Sequence, residues 1–239
     1  MRKKRMAIYA SRKHVVATLL VLVAPFLFLL LFSELADIAA SQLFWNLFVS
    51  TVRLTVAYIF AVILAWVFAV IFYRGRRAMV ALPIFDVLQS FPTFAALPLA
   101  ALVWGSSNFT VVFFLVITII WPIFFSIISA LKLIRHDWEE AVEIARLGGF
   151  DYIRYFLWPV SIPALITGSI IGLGEGWEAL VATEIIVGIS SGLGGFFQSF
   201  SNNSSITAFG ILGLLLFIFS INKLIWLPML ERSHRIMEE

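Results

Sequence analysis

Five ionisable side chains stand inside apolar stretches of this chain: Arg53, Asp86, Glu175, Glu178 and Glu184. A charge near the centre of a bilayer costs about 2.5–3.5 kcal/mol on insertion scales, so such groups face protein or a water-filled path. Glu175 and Glu178 are three residues apart and therefore share one face of a helix. Gly168, Gly172, Gly174 and Gly176 precede or interleave with them. Small residues let helices approach closely, or let a path open beside the backbone. Two readings are open. In one, this stretch lines a translocation path: Glu178 or Glu184 touches or gates a solute, Trp177 lines the same path, and Asp86 joins from an earlier segment. In the other, Glu175 or Glu184 pairs with Arg53 and holds helices in register. Unpaired carboxylates repel an anion, so an anionic solute favours the pairing.

Other chemistry is scarce. With no cysteine there is no disulfide, thiol nucleophile or cysteine zinc site, and no metal-ligand cluster is visible. Gly188-Ile189-Ser190-Ser191-Gly192 matches the G-x-S-x-G pattern of serine hydrolases. A nucleophilic serine needs a base within hydrogen-bond reach, and His14, His136 and His234 fall on the other side of the membrane in the topology derived next. No catalytic residue is assigned. No G-x-x-x-x-G-K-[ST] phosphate loop occurs, so ATP chemistry would belong to a partner.

The elements that must carry these groups are transmembrane helices. The sequence is 62% hydrophobic and 13% charged, with a mean hydropathy of +1.01. Soluble domains are about half apolar and a quarter charged, so the excess faces lipid. Six segments are long enough to span: 15–33, 47–72, 79–103, 109–134, 160–188 and 206–230. They lack the period-2 alternation of a barrel, so the fold class is an all-α, multi-pass integral membrane protein with a single domain over 1–239. Met1-Arg2-Lys3-Lys4-Arg5 resembles a signal-peptide start, but the run Val15 to Phe32 is too long and lacks a cleavage site, so it reads as a retained helix. With six spans, 16 of the 17 Lys and Arg fall on one side, in the N-terminal tail, at 74–77, at 132–154 and from Lys223 onward. That places both termini in the cytoplasm. Anionic membrane lipids account for the basic tail more simply than nucleic acid does. The third segment carries Pro83, Pro92 and Pro98 around Asp86 and Gln89; it is expected to be broken and interior to the bundle. Trp45, Trp104 and Trp226 suit an interfacial belt.

The loop at 135–158 is the most informative stretch. Trp138, Ala141, Val142 and Ala145 recur at helical spacing as one apolar face, with Glu139, Glu140, Glu143 and Arg146 on the polar side. Asp137 is a candidate N-cap with Glu140 three residues on. Gly148-Gly149 is expected to end the helix. Asp151 caps a second short helix through Tyr155, and Pro159 leads into the membrane. Such a helix either lies at lipid headgroups or docks a cytosolic partner.

Glu140-Ala141-Val142 followed by Leu157-Trp158-Pro159 and Ile162-Pro163 resembles the EAA loop of ABC-importer permeases. In that register Arg146 stands where the motif has glycine. A register on Glu143 puts Gly149 there but leaves Pro159 three residues short. Ser90-Phe91-Pro92-Thr93 through Trp104-Gly105, and Thr167-Gly168 through Glu184, resemble the nitrate/sulfonate/taurine branch of the same family. The resemblance implies a permease subunit of the inner or plasma membrane, with Glu140, Ala141, Val142, Glu143, Gly148 and Gly149 coupling to a cytosolic ATP-binding subunit. It further implies a second permease half, identical or homologous, an extracytoplasmic substrate-binding protein, and a small solute such as nitrate, a sulfonate or taurine. The alternative is a stand-alone channel or secondary transporter, complete in one chain or a homo-oligomer.

Overall fold

The computed structural model describes residues 12–238, with side chains from Thr18 to Ser233. Arg2, Lys3, Lys4 and Arg5 of the basic tail lie outside the described residues, as do the side chains of Arg12, Lys13, His14, His234 and Arg235. The helices are α1 (Arg12–Leu35), α2 (Ala40–Phe72), α3 (Gly75–Gln89), α4 (Thr93–Trp104), α5 (Asn108–Lys132), α6 (His136–Ile144), α7 (Gly149–Tyr152), α8 (Trp158–Val187), α9 (Leu193–Ser199), α10 (Ser204–Ile221) and α11 (Leu227–Glu238). π-helical turns at Ile153–Leu157 and Asn222–Trp226 run without a break into α8 and α11. Among the described residues five helical tracks are long and apolar enough to cross a membrane, or six if α3 and α4, bent by 80° at their break, count as one span.

The core is built on α2, α5 and α8. Val111, Leu115, Ile119, Ile123 and Ile127 recur every four residues on α5 and are wholly buried. Ala57, Ala61, Ala65 and Ala69 repeat the same spacing on α2 and are equally buried. Small side chains there admit the bulky α5 stripe. On α8 the approach is closer still. A methyl group on Gly168 would stand 2.7 Å from Cα of Ile123 and 2.9 Å from the Pro122 carbonyl oxygen. Gly174 meets nothing within 4 Å, so it is not part of this seam. Tyr58 and Trp66 on α2 donate to Ser169 (2.9 Å) and Ser161 (3.0 Å) on α8, fixing the register. The pair α1 and α10 packs outside this core, with Ser220 donating to the Val21 carbonyl at 2.7 Å.

Several expectations need correction. The third segment is broken, but Pro83 and Pro98 sit inside helices and only Pro92, the N-cap of α4, coincides with the break. Nor is the segment interior to this chain: Met79 and Val87 are 77% and 71% exposed. The core is already closed by α2, α5 and α8; α3 rests against it through Phe85, stacked on Phe68 and edge-on to Phe124, and leaves the flank of Met79 and Val87 open among the described residues. Trp226 is buried edge-on against Tyr58, not interfacial, whereas Trp45 and Trp104 are exposed. Helix α6 starts at His136, so Asp137 lies within its first turn instead of capping it; its carboxylate accepts two bonds from the Arg135 guanidinium, at 3.0 and 2.7 Å. The helix ends at Ile144, ahead of Gly148-Gly149, which instead opens α7 with Gly148 as the N-cap in place of Asp151.

Candidate functional site

Three arrangements concentrate the polar chemistry: a tethered helix pair at one end of the bundle, a polar knot at the other, and a groove between them.

At the end where α2 and α5 finish, α6 and α7 contribute no buried residue. Trp138, Ala141 and Ala145 of the expected apolar face are exposed and Val142 is half-buried, so the described residues leave that face uncovered. Glu140, Glu143, Gly148 and Gly149 are exposed too, Glu140 within 3.3 Å of His136. The pair is nevertheless tied back to α2. Arg74 donates to Glu139 at 2.7 Å and to the Tyr152 hydroxyl at 3.1 Å, and that hydroxyl lies 3.1 Å from the hydroxyl of Tyr73. Burial and the neighbouring Tyr152 push the Tyr73 phenol well above its ordinary range, so it stays neutral. Between α6 and α7, Arg146 holds a left-handed backbone at φ +51°. That conformation favours glycine.

At the opposite end, wholly buried Glu184 accepts from Arg53 Nη1 at 2.5 Å, from Ser50 Oγ at 2.8 and 2.9 Å, and from the Gly194 amide at 2.8 Å. The guanidinium also donates to the Ser191 carbonyl and hydroxyl and to Asn108 Oδ1, all at 2.8 Å. Asn46 Oδ1 accepts the Gly192 amide at 2.9 Å, and Ser50 Oγ accepts the Leu193 amide at 2.8 Å. Gly192 has φ +103°, and a Cβ there would lie 2.5 Å from the Glu184 carboxylate. The knot thus binds α2, α5, α8 and the turn into α9 through one carboxylate. Among the described residues every buried side-chain polar atom is satisfied, the condition under which a buried ion pair is tolerable. Ser190 sits on this turn, and its hydrolase-like surroundings are the knot's own turn.

The groove lies where α3 and α4 break, midway along α5 and α8. It has a volume of about 690 Å³, and its walls include Gln89, Ser90, Thr93, Thr118, Trp121 and Glu175.

Each predicted residue can now be placed. Glu184 makes the ion pair with Arg53. Trp177 is buried, edge-on to Phe217 at 5.8 Å. Asp86 is exposed and accepts from Gln89 at 2.7 Å. Glu178 is exposed one turn along from Glu175. No hydrogen bond or ion pair joins Trp177, Glu178, Glu184 and Asp86 to one another, and apart from the chain neighbours Trp177 and Glu178 they stand in different surroundings. Sequence reasoning missed Asn46 and Ser50, although their spacing with Arg53 puts all three on one face of α2. It also missed Tyr73, Arg74 and Tyr152, whose meeting depends on the fold.

Residues 57–233 match the family described as binding-protein-dependent transport system inner membrane component. The chain is 32% identical over 182 residues to the nitrate import permease protein NrtB of Leptolyngbya laminosa, covering 73% of this chain and 65% of that protein. It is 25% identical over 155 residues to the bicarbonate transport system permease protein CmpB of Synechococcus elongatus, covering 64% and 56%. It is 28% identical over 117 residues to the taurine transport system permease protein TauC of Escherichia coli, covering 49% and 42%. The chain thus spans about two thirds or less of the length of these relatives. A helical, multi-pass membrane chain matched over most of its length, this protein belongs to the family of binding-protein-dependent transport system inner membrane components.

Proposed function

We propose that this chain is the transmembrane permease half of an ATP-driven importer and moves a small solute handed over by a binding protein. The observation that carries the reading is α6: a helix with no buried residue, its apolar face uncovered by the described residues, yet tethered through Arg74 at the end of α2 and joined by the 145–148 turn to α7, which runs on into α8. A docking helix needs this combination, because its free face grips a partner while its roots carry motion to the spans. A stand-alone channel or secondary transporter has no use for it. Left-handed backbones stand at Arg146 (φ +51°) and at Gly149 (φ +56°), the glycine positions of the registers on Glu140 and on Glu143, so either register finds the turn that the motif's glycine makes. Glu143, Gly148 and Gly149 complete the same docking surface.

In this reading the loop end faces the cytoplasm with both termini, as the distribution of Lys and Arg supports. The exposed flank of α3 and α4 meets a second permease half, and the groove, with Glu175 and Glu178 beside it, is one wall of the translocation path. Asp86 lies near its margin. Trp177 and Glu184 serve the packing behind it. A cytosolic subunit burns ATP, and the chain, one membrane domain, has no catalytic residue of its own. Nitrate, bicarbonate and taurine, the solutes named for the relatives, are the small ionic solutes to test first.

The test is co-purification from membranes. Glu140→Arg removes the motif carboxylate from an exposed position, so insertion and folding hold while the ATP-binding subunit is lost from the complex. Retention of that subunit and of transport in this variant would overturn the docking role.

A further inference from the structure

The groove has a charge of its own. Gln89, Ser90, Thr93 and Thr118 offer neutral hydrogen-bonding groups, Phe91, Trp121 and Phe125 offer ring faces or edges, and Glu175 supplies the single charge of the lining. Among the described residues no Lys, Arg or His lines it. The ion pairs among the described residues join Arg53 to Glu184, Arg74 to Glu139, Arg135 to Asp137 and His136 to Glu140, and none includes Glu175 or Glu178. The cation once available for pairing, Arg53, is consumed by the knot. The next basic residue along α5 is Lys132, 14 residues from Thr118, or about 21 Å along the axis.

One feature pulls the other way. The N-terminus of α4 opens onto the groove at Thr93, and a helix start is worth about half a positive charge. Most of its first amides are already engaged, however: Thr93 donates to the Phe91 carbonyl at 2.8 Å, and Ala95 and Ala96 donate to the Pro92 carbonyl at 3.0 and 3.3 Å, which leaves the Phe94 amide. Glu175, with Glu178 one turn away, outweighs that half charge.

We propose that Glu175 makes this groove selective for solutes that carry a positively charged nitrogen, cationic or zwitterionic, over bare oxyanions. The carboxylate holds the charged group, and the rings of Phe91, Trp121 and Phe125 pack against the body of the solute and face its charge favourably. The proposal rests on the permease reading for its claim that solute passes here, and it sets this groove apart from one built for an inorganic anion.

The cysteine-free sequence permits a direct measurement. Thr118→Cys and, separately, Ser90→Cys place one thiol in the groove of the full chain in membrane vesicles. Each is reacted with a trimethylammonium-ethyl and a sulfonatoethyl methanethiosulfonate, and the rates are normalised to those with 2-mercaptoethanol. The normalised cationic rate should exceed the anionic rate by about tenfold or more, as expected for a cleft lined by one sign of charge. Adding Glu175→Gln should collapse the ratio toward one, while Glu175→Asp, which conserves charge, should keep most of it. A ratio near one in the parent, a preference for the anionic reagent, or a ratio indifferent to Glu175→Gln would overturn the proposal and leave the docking test untouched. Thiols that react with neither reagent at both positions would also overturn it, and would remove the water-filled path from the permease reading.

Discussion

Glu184 shows how much one side chain can hold. It is wholly buried and its carboxylate serves a guanidinium, a hydroxyl and an amide at once. Removing one partner of such a pair leaves the other charge stranded, at about 3–5 kcal/mol. Glu184→Gln and Arg53→Gln are therefore expected to lower the melting point sharply in detergent micelles. The double replacement Arg53→Met with Glu184→Met should cost less than the two single losses added together, because it strands neither charge. Arg146 gives a prediction of the opposite sign. A non-glycine residue in the left-handed region costs about 1–2 kcal/mol, part of which glycine returns as backbone entropy. Arg146→Gly should thus stabilise the α6–α7 turn by about 0.5–1 kcal/mol, read as roughly two- to fivefold slower amide exchange at Ala145 and Leu147. Residues of both kinds were partly legible. Arg53 with Glu184 stood among the possible pairs, because an intramembrane charge needs a partner. Ser191 and the Gly194 amide were not legible, since only the fold brings the 191–194 turn back over α2.

At the scale of elements, the contact of α5 with α8 sets the fold. Gly168→Val would press side-chain carbons into the backbone of Ile123 and Pro122, forcing the helices apart at about 1–3 kcal/mol. Gly174→Ala meets open space and removes glycine's entropic cost in a helix interior, so it should raise stability by about 0.5–1 kcal/mol, and the two variants, compared by thermal unfolding, separate packing from mere loss of glycine. The glycine run was visible in the sequence, but which of its members served close approach was not. Gly168 does and Gly174 does not. Three prolines likewise marked the irregular segment, yet only Pro92 stands at its 80° bend. A proline removes one helical bond wherever it lies, and packing decides whether the helix absorbs the loss. The cap expected of Asp137 failed for a local reason: Arg135 takes its carboxylate first.

For the molecule as a whole, topology is the quantity to measure. Ser205→Cys, in the exposed first turn of α10, should react in intact cells with a membrane-impermeant thiol reagent. Leu133→Cys, at the loop end, should react only after permeabilisation; the reverse pattern would overturn the proposed orientation. Composition and apolar run lengths sufficed to read a helical membrane protein, since both are properties of the chain alone. The exposed flank of α3 could not be read, because it depends on what lies beside the chain. The two ends of the bundle also differ in how firmly they are fastened. Around Glu184 the fastening is dry and made of many bonds, whereas α6 is held by Arg74 to a half-exposed Glu139, a pair of the kind worth about 0–1 kcal/mol, and by the Tyr152 hydroxyl. Between the two ends α2, α5 and α8 are locked side by side, Trp66 to Ser161 and Ser126 to the Ala164 carbonyl, so they move as one rigid lever about a pivot at the knot. Helix α8 has 30 residues and is about 45 Å long, so a swing of about 5° at the pivot carries its far tip through about 4 Å. Displacements at residues 133–152 should then exceed those at 188–194 several-fold, an amplification that needs no bending of the helices themselves.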